Sequence, residues 1–143
     1  MAERPWASRT YSGHSTAKAS NELYRTNLSK GQTGLAVAFD LPTQTGYDPD
    51  APEAAGQVGK VGEPVVHFGH MAQLFDQIPV DELTTSMTIN EPASWMLAMY
   101  SANAEHRGID PKVLGGTAQK DIIKVSLTRG TTIFATTTSL SLP

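Results

Sequence analysis

The polar residues with the clearest chemical potential follow a strand that is predicted to be buried. Residues 34–41 form a short, nearly continuous apolar run bounded by glycine and proline, which is typical of a strand covered on both faces in a parallel sheet. Asp40 and Asp48 lie at and beyond its end. Ligands bind beyond the carboxyl ends of parallel strands, so this loop is a candidate ligand site. The alternative is that both aspartates only cap and turn the loop.

Three arginines form a second candidate set: Arg4, Arg9 and Arg129. The planar guanidinium matches the geometry of carboxylate and phosphate oxygens, and its flat face stacks on rings such as adenine. Arginines scattered along a sequence are also common as plain surface charge. The residue types alone leave both interpretations open.

Other signals are weaker. His67 and His70 are three residues apart and could share a helix face, but no third ligand stands at zinc-site spacing and no HExxH motif is present. We expect ordinary, partly buried histidines and no metal site. Gly56, Gly59 and Gly62 match neither the P-loop nor the dinucleotide fingerprint, so we predict a flexible turn there.

Alternating strands and helices must position these residues. We predict helices over about 16–29, 70–77, 92–107 and 120–128, and strands over 34–41, 84–89 and 114–118. Ser15 is the predicted N-cap of the first helix, and residues 42–64 carry no periodicity. This βαβ pattern is typical of parallel sheets and barrels, so the fold class is α/β.

Two sets of side chains are predicted to pack the helices against the core. The first helix presents Ala17, Asn21, Tyr24 and Leu28 on one stripe. The third presents Trp95, Leu97, Met99 and Tyr100.

Composition excludes several classes of protein. The 143 residues carry 11 Lys+Arg against 14 Asp+Glu, a net charge of −3, which argues against a nucleic-acid partner. Without cysteine the chain holds neither a disulfide nor a thiolate metal site. No apolar run approaches the roughly 18 residues of a membrane span, and the N-terminus has no apolar signal region. We therefore expect a soluble, cytoplasmic protein with no membrane partner.

Several short motifs resemble one family at consistent spacing. They are RPWASRTYSG at 4–13, GQTGLAVAFDLPT at 31–43, GYD at 46–48, SMTIN at 86–90 and GTAQKDI at 116–122. Together they resemble the adenosylcobalamin-dependent acyl-CoA mutases, of the methylmalonyl-CoA mutase large-subunit type. Residues 13–16 and 41–48 look most like the ethylmalonyl-CoA mutase branch.

The resemblance implies the N-terminal portion of a (β/α)₈ TIM barrel: an N-terminal arm and the first two to three βα units. It divides the chain into an extended substrate-contacting arm at 1–12, a partial acyl-CoA-binding barrel at 13–134 and a divergent tail at 135–143. The implied reaction is a radical isomerisation of the carbon skeleton of a dicarboxylic acyl-CoA, with adenosylcobalamin as cofactor.

The same resemblance implies roles for residues around the acyl group. Tyr11 matches a catalytic pocket tyrosine between the substrate and the adenosyl group, and Arg129 matches an arginine that pairs with the free carboxylate. Thr117 and Gln119 match polar residues that contact the acyl group.

Four more residues match family positions outside the acyl pocket. Arg4 and Arg9 correspond to arm residues that contact coenzyme A. Phe39 and Leu41 correspond to residues beside the corrin ring.

Departures from the family pattern limit what the chain is expected to do alone. The family's continuation is absent after Lys124 and after Phe134, and none of the four histidines stands in a D-x-H-x-x-G cobalt-binding motif. We expect a piece that is inactive without the rest of the barrel and a cobalamin-binding domain, and that forms a homo- or heterodimer when full length. The alternative is a non-catalytic α/β module that binds a coenzyme A ester or a mutase subunit.

Overall fold

A computed structural model describes residues 6–129, 132–133 and 138 of the chain. Strands and helices alternate through these residues. The strands are β1 (Tyr11–Ser12), β2 (Gly34–Ala38), β3 (Thr84–Thr88) and β4 (Gly115–Gln119). The helices are α1 (Ala17–Ser29), α2 (Leu41–Thr45), α3 (Phe68–Leu74), α4 (Ala93–His106) and α5 (Ile122–Lys124). Short 3₁₀ turns span Pro52–Ala54 and Pro111–Val113, and a π-helical turn spans Val125–Arg129.

The four strands form one parallel sheet in the order β1-β2-β3-β4. Each strand therefore lies beside the next one in the sequence, as in the opening part of a βα barrel. The predicted α/β fold class is confirmed. The end of the predicted N-terminal arm is itself a strand of this sheet, because Tyr11 pairs with Ala36 and Ser12 with Val37.

One face of the sheet carries the hydrophobic core. Leu35 and Val37 of β2 and Met87 of β3 are buried there against α1, α3 and α4. The helices and the C-cap of α3 contribute large side chains to the same cluster: Tyr24, Met71, Leu74, Phe75, Met96 and Tyr100. Burial on this scale supplies the main stabilising free energy of such a domain.

The start of α1 differs from the prediction. Ser15 adopts a left-handed conformation (φ 61°), and Thr16 is the N-cap, its hydroxyl accepting a hydrogen bond from the amide of Ala19 at 3.2 Å. The cause is tertiary, because the Ser15 amide is held by the carbonyl of Gly59 at 3.1 Å. The predicted stripe is otherwise present, with Ala17, Asn21 and Tyr24 buried and Leu28 partly buried.

The segment 42–64, which shows no periodicity in the sequence, is more ordered than predicted. It contains α2 and the first 3₁₀ turn, and β2 ends at Ala38, before the predicted end of the strand. Asp40 is the N-cap of α2 and is completely buried. Its Oδ1 accepts from the amide of Thr43 at 3.0 Å, and its Oδ2 accepts from the amide of Gly59 at 2.8 Å. The capping alternative for Asp40 is the one that the structure supports.

Helix α3 begins two residues before the predicted start and ends earlier. His67 is its N-cap, since the His67 Nδ1 accepts from the His70 amide at 3.4 Å. No group of three or more His, Cys, Asp or Glu side chains suited to a metal ion occurs among the described residues.

The stripe predicted for the third long helix is partly wrong. In α4 Tyr100 is buried and Met99 partly buried, whereas Trp95 and Leu97 are about half exposed. The buried stripe instead contains Ala93, Met96, Tyr100, Asn103 and Ala104, which keep the three- and four-residue spacing of one helix face. None of the helices in the described part of the chain has the length and apolar character to cross a membrane.

Candidate functional site

The second face of the sheet carries small and polar side chains in register. Tyr11, Ala36, Ser86 and Thr117 occupy the same level of the four strands, because Tyr11 pairs with Ala36, Ala36 with Ser86 and Ser86 with Thr117. Side chains that pair in register project from the same face. The Ser86 and Thr117 hydroxyls lie 2.9 Å apart, within hydrogen-bonding distance. We call this face of the sheet the inner face.

Arg9 lies across the inner face at the amino-terminal ends of β2 and β3. Its Nη2 donates to the Thr84 hydroxyl. Gly34 makes room for it, since a Cβ on Gly34 would lie 2.9 Å from the Arg9 Nε and 3.0 Å from the Thr84 carbonyl oxygen. The guanidinium is exposed beyond this contact and has donors to spare for an anionic ligand.

The inner face carries small side chains where a barrel interior usually carries bulky ones. Strands of βα barrels normally project bulky branched residues inward. Here β2 contributes Gly34, Ala36 and Ala38, and the neighbouring strands contribute threonine, serine, glycine and glutamine. Most of these side chains are small, and the threonine and serine residues offer hydroxyl groups to a ligand.

Gln119 stands at the carboxyl end of β4, and Asn90 fixes the backbone around it. The backbone amide of Asn90 donates to the Gln119 carbonyl at 2.8 Å, and the side-chain Oδ1 of Asn90 accepts from the backbone amide of Asp121 at 3.2 Å. Asn90 is buried and adopts φ 81°, a left-handed conformation that asparagine tolerates better than most residues. The SMTIN motif by itself gives no sign of this positioning role.

Four of the predicted site residues meet on this face. Tyr11 on β1, Arg9 just before it, and Thr117 and Gln119 on β4 all belong to the inner face or its ends, and all four are exposed. Ser86 joins them, although no role is predicted for it from the sequence. Its place in the SMTIN motif and its alternation with the buried Thr85 and Met87 are the signals that could have found it.

The other four predicted residues are placed differently. Leu41 starts α2 beyond the carboxyl end of β2 and is 42% exposed, whereas the Phe39 side chain is 2% exposed and packs into the core. Arg4 lies outside the described residues. The backbone of Arg129 ends the π-helical turn that follows α5, and its side chain lies outside the described part of the structure.

A buried carboxyl group, that of Glu63, lies close to β1. Glu63 is completely buried, and its Oε1 lies 3.2 Å from the Tyr24 hydroxyl. Burial raises the pKa of Glu63 to about 8, with a smaller contribution from the charge of Asp40, while hydrogen bonds to Ser20 and Tyr24 act in the opposite direction. Burial also raises the pKa of Tyr24, and proximity to Glu63 adds to that shift. Nothing in the sequence pattern singles out Glu63.

Comparison with known proteins identifies the family. The family model for methylmalonyl-CoA mutase matches residues 1–142. The ethylmalonyl-CoA mutase of Cereibacter sphaeroides is 63% identical over 131 residues, covering 92% of this chain and 20% of the relative. That of Methylorubrum extorquens is 59% identical over 140 residues, covering 98% of this chain and 20% of the relative.

A methylmalonyl-CoA mutase is also similar. The large subunit from Propionibacterium freudenreichii subsp. shermanii is 49% identical over 131 residues, covering 92% of this chain and 18% of the relative. The chain thus spans about a fifth of the length of the curated relatives that it matches. The motif resemblance is confirmed, including its similarity to ethylmalonyl-CoA mutases. The chain belongs to the methylmalonyl-CoA mutase family.

Proposed function

We propose that this chain supplies the N-terminal part of the substrate-binding barrel of an acyl-CoA mutase. The reaction would be isomerisation of the carbon skeleton of a dicarboxylic acyl-CoA of the ethylmalonyl or methylmalonyl type. The observation that carries the proposal is the in-register row Tyr11–Ala36–Ser86–Thr117. It lies on an inner face of small and polar side chains, in a chain whose family consists of such mutases.

The inner face suits an elongated thioester. Arg9 stands at the amino-terminal ends of the strands, while Gln119 stands at the carboxyl end of β4. Five-residue strands separate the two ends by about 13 Å, at roughly 3.3 Å per residue. We propose that Arg9, together with Arg4, binds the anionic coenzyme A portion through charge-assisted hydrogen bonds. The acyl group then lies at the level of Thr117 and Gln119.

Tyr11 and Arg129 are proposed to handle the acyl group itself. Tyr11 is 57% exposed on the edge strand, so its ring is free to cover a substrate on the inner face and exclude water. Arg129 is proposed to pair with the free carboxylate of the substrate. A bidentate guanidinium would favour dicarboxylic over monocarboxylic acyl-CoA esters.

The carboxyl end of the sheet can accommodate part of the proposed cofactor, adenosylcobalamin. Leu41 presents an exposed apolar side chain there, as contact with a flat macrocycle requires, whereas the Phe39 side chain is buried and unavailable. When bound, the cofactor supplies the radical chemistry of the rearrangement. This chain's residues bind, orient and enclose the substrate. A cobalamin-binding domain, the rest of the barrel and a homo- or heterodimeric partner are the proposed partners.

On this proposal the 143 residues are inactive by themselves. The second candidate function is a non-catalytic module that binds a coenzyme A ester or a mutase subunit. Two features favour this second function: the buried core and the Arg9 guanidinium at one end of the inner face. Both are formed by the described residues of this chain alone.

A complementation assay tests the proposal. The chain is mixed with the C. sphaeroides ethylmalonyl-CoA mutase from which the matching N-terminal segment has been deleted. We expect the mixture, supplied with adenosylcobalamin, to isomerise ethylmalonyl-CoA, and either component alone to be inactive. Arg9→Ala should raise KM for the ester about tenfold, the loss expected for one charge-assisted contact of about 1.5 kcal/mol.

Matched controls make the result decisive. Arg25→Ala removes an exposed arginine from α1, which packs on the opposite face of the sheet, and should leave KM unchanged. The relative's own N-terminal segment is the positive control. Restoration by that segment but not by this chain would contradict the proposal. Saturable calorimetric binding of the ester by this chain alone, without restoration, would support the module.

A further inference from the structure

Glu63 is held at the junction of the first two strands by its own backbone. Its amide donates to the Ala38 carbonyl at 2.9 Å, and its carbonyl accepts from the Asp40 amide at 3.0 Å. The segment 62–63 also bridges the ends of both strands, through the pairs His14–Gly62 and Phe39–Glu63. Gly62 is required here, because it has φ 89° and a Cβ would overlap the Phe39 backbone. This close approach buries the Glu63 side chain.

The buried carboxyl faces few polar groups. Tyr24 and Ser20 approach it from α1, and Asp40 approaches it from the N-cap of α2. Asp40 is already occupied by the amides of Thr43 and Gly59. The Glu63 Oε2 is buried and, within the described residues, has no hydrogen-bond partner. A buried carboxylate oxygen left in that state is costly, so the neutral acid is favoured.

Counting hydrogens leads to the same protonation state. The Tyr24 hydroxyl lies 2.7 Å from the Ser12 carbonyl oxygen and 3.2 Å from the Glu63 Oε1. It has one hydrogen, which cannot be donated fully to two acceptors. With Glu63 protonated, the carboxyl donates to the Tyr24 oxygen and Tyr24 donates to Ser12, so both contacts of the Tyr24 hydroxyl have a hydrogen. The Ser20 hydroxyl donates to the His14 carbonyl at 3.1 Å. With Glu63 ionised, Tyr24 must turn from Ser12 toward the carboxylate.

We propose that Glu63 is a protonated carboxyl at neutral pH and that, by donating to Tyr24, it anchors the Ser12 carbonyl and with it the strand that carries Tyr11. Glu63 is therefore a positioning residue. Strand β1 is short, since Tyr11 and Ser12 are the two residues that pair with β2 within the described part of the chain, and the hydrogen bond from Tyr24 to the Ser12 carbonyl helps to hold it. The inference rests on the proposed function only for what Tyr11 contacts.

Loss of the proton would weaken this anchor. Burial raises the Glu63 pKa to about 8, so ionisation falls in a mildly alkaline range. Tyr24 stays protonated there, because burial raises its pKa as well. The backbone of Ser12 and Gly13 should then change environment in step with Glu63.

Carbon-13 NMR of the chain labelled at the glutamate carboxyl tests the inference without any ligand. The resonance that Glu63→Gln removes is assigned to Glu63. We expect it to titrate with a midpoint near 8, rather than near the unshifted 4.5, and the Gly13 amide to shift with the same midpoint. In Tyr24→Phe, which lacks the relaying hydroxyl, the Gly13 amide should no longer follow Glu63. Glu22→Gln, at an exposed position on α1, should preserve both titrations.

Two results would overturn the inference. One is a Glu63 midpoint below about 7 in a chain with dispersed amide resonances, because the carboxyl would then be ionised at neutral pH. The other is a Gly13 amide resonance that does not shift while Glu63 titrates with a midpoint near 8. Infrared spectra that follow the protonated carboxyl band between about pH 6 and about pH 10 need no variant, and they report the same ionisation if Glu63→Gln fails to fold. Since no acyl-CoA ester is present, failure of the complementation assay leaves these readouts unaffected.

Discussion

Single polar side chains position the ends of the strands in this chain, and Asn90 is the clearest example. Replacing it by alanine removes the acceptor for the Asp121 amide and leaves a residue with a Cβ, but no compensating contact, at φ 81°. We expect Asn90→Ala to lower the free energy of unfolding by about 2 kcal/mol, measured by urea titration. Asn90→Gly relieves the backbone strain and should cost about half as much.

Comparing the alanine and glycine variants of Asn90 separates the loss of the side-chain acceptor from the backbone strain. Asn90→Asp retains an acceptor at the same position and should restore part of the loss. Equal destabilisation by alanine, glycine and aspartate would show that neither the side-chain acceptor nor the left-handed backbone matters at this position.

Glu63 links stability to pH. Its pKa is raised from 4.5 in the unfolded chain to about 8 in the folded one, so between these values the folded state holds a proton that the unfolded state has released. Stability contributed by the neutral carboxyl is complete below 4.5 and is lost as pH rises toward about 8. We expect the free energy of unfolding to fall by about 1.4 kcal/mol per pH unit across this window.

Glu63→Gln isolates that contribution. Other titrating groups are common to both proteins, so the difference between the two stability curves reports Glu63 alone. Urea titrations across the window should give a flatter curve for Glu63→Gln, while Glu22→Gln should follow the unmodified chain. Parallel curves for Glu63→Gln and the unmodified chain would contradict the pKa assignment.

At the scale of elements, strands and long helices were predictable where the pattern is local. The apolar run of β2, the alternation in β3 and the proline and glycine that bound α4 are properties of neighbouring residues, and all three elements are confirmed. The exchange of Ser15 for Thr16 as N-cap was not predictable, since it depends on the distant Gly59.

In the candidate site, too, some residues were predictable from the sequence and others depend on distant contacts. Motifs selected Tyr11, Arg9, Thr117 and Gln119, and the register of the sheet brings them to one face. Glu63 was not predictable, because an isolated glutamate between glycine and proline is typical of a surface turn. Only its contact with Tyr24, across 39 positions of sequence, reveals a buried acid.

Contacts between α1 and α3 depend on a polar residue in an apolar stripe. The Asn21 Nδ2 donates to the Leu74 carbonyl at 2.9 Å and to the Asp76 carbonyl at 2.8 Å, which ties α1 to the end of α3. Asn21→Leu keeps the number and branching of the side-chain heavy atoms but leaves both carbonyls without this donor. We expect a loss of about 2 to 3 kcal/mol in urea unfolding, because buried acceptors without donors are costly.

An exposed neighbour provides the control for this prediction. Glu22→Leu makes a similar substitution on the solvent side of α1 and should change stability by less than about 0.5 kcal/mol. A loss of the same size at both positions would indicate a general effect of leucine on α1 rather than the loss of the Asn21 hydrogen bonds.

At the scale of the whole molecule, the described sheet has two edges and an uneven cover. Within the described residues β1 and β4 each pair on one side only. The core face is covered near β2 and β3, but beside β4 it forms an open groove of about 250 Å³ lined by Met87, Leu97, Leu114 and Ala118. An open strand edge beside apolar surface favours self-association. A further βα unit packed beside β4 would cover this groove.

Ala118→Lys tests this consequence. A lysine on β4 places a charge beside the groove and is a common means of blunting edge strands. We expect the unmodified chain to associate with rising concentration in light scattering, and Ala118→Lys to remain smaller at the same concentration. Ala55→Lys adds the same charge at an exposed loop position and should behave like the unmodified chain. Equal suppression by both variants would assign association to net charge, and no suppression by Ala118→Lys would place the contact away from β4.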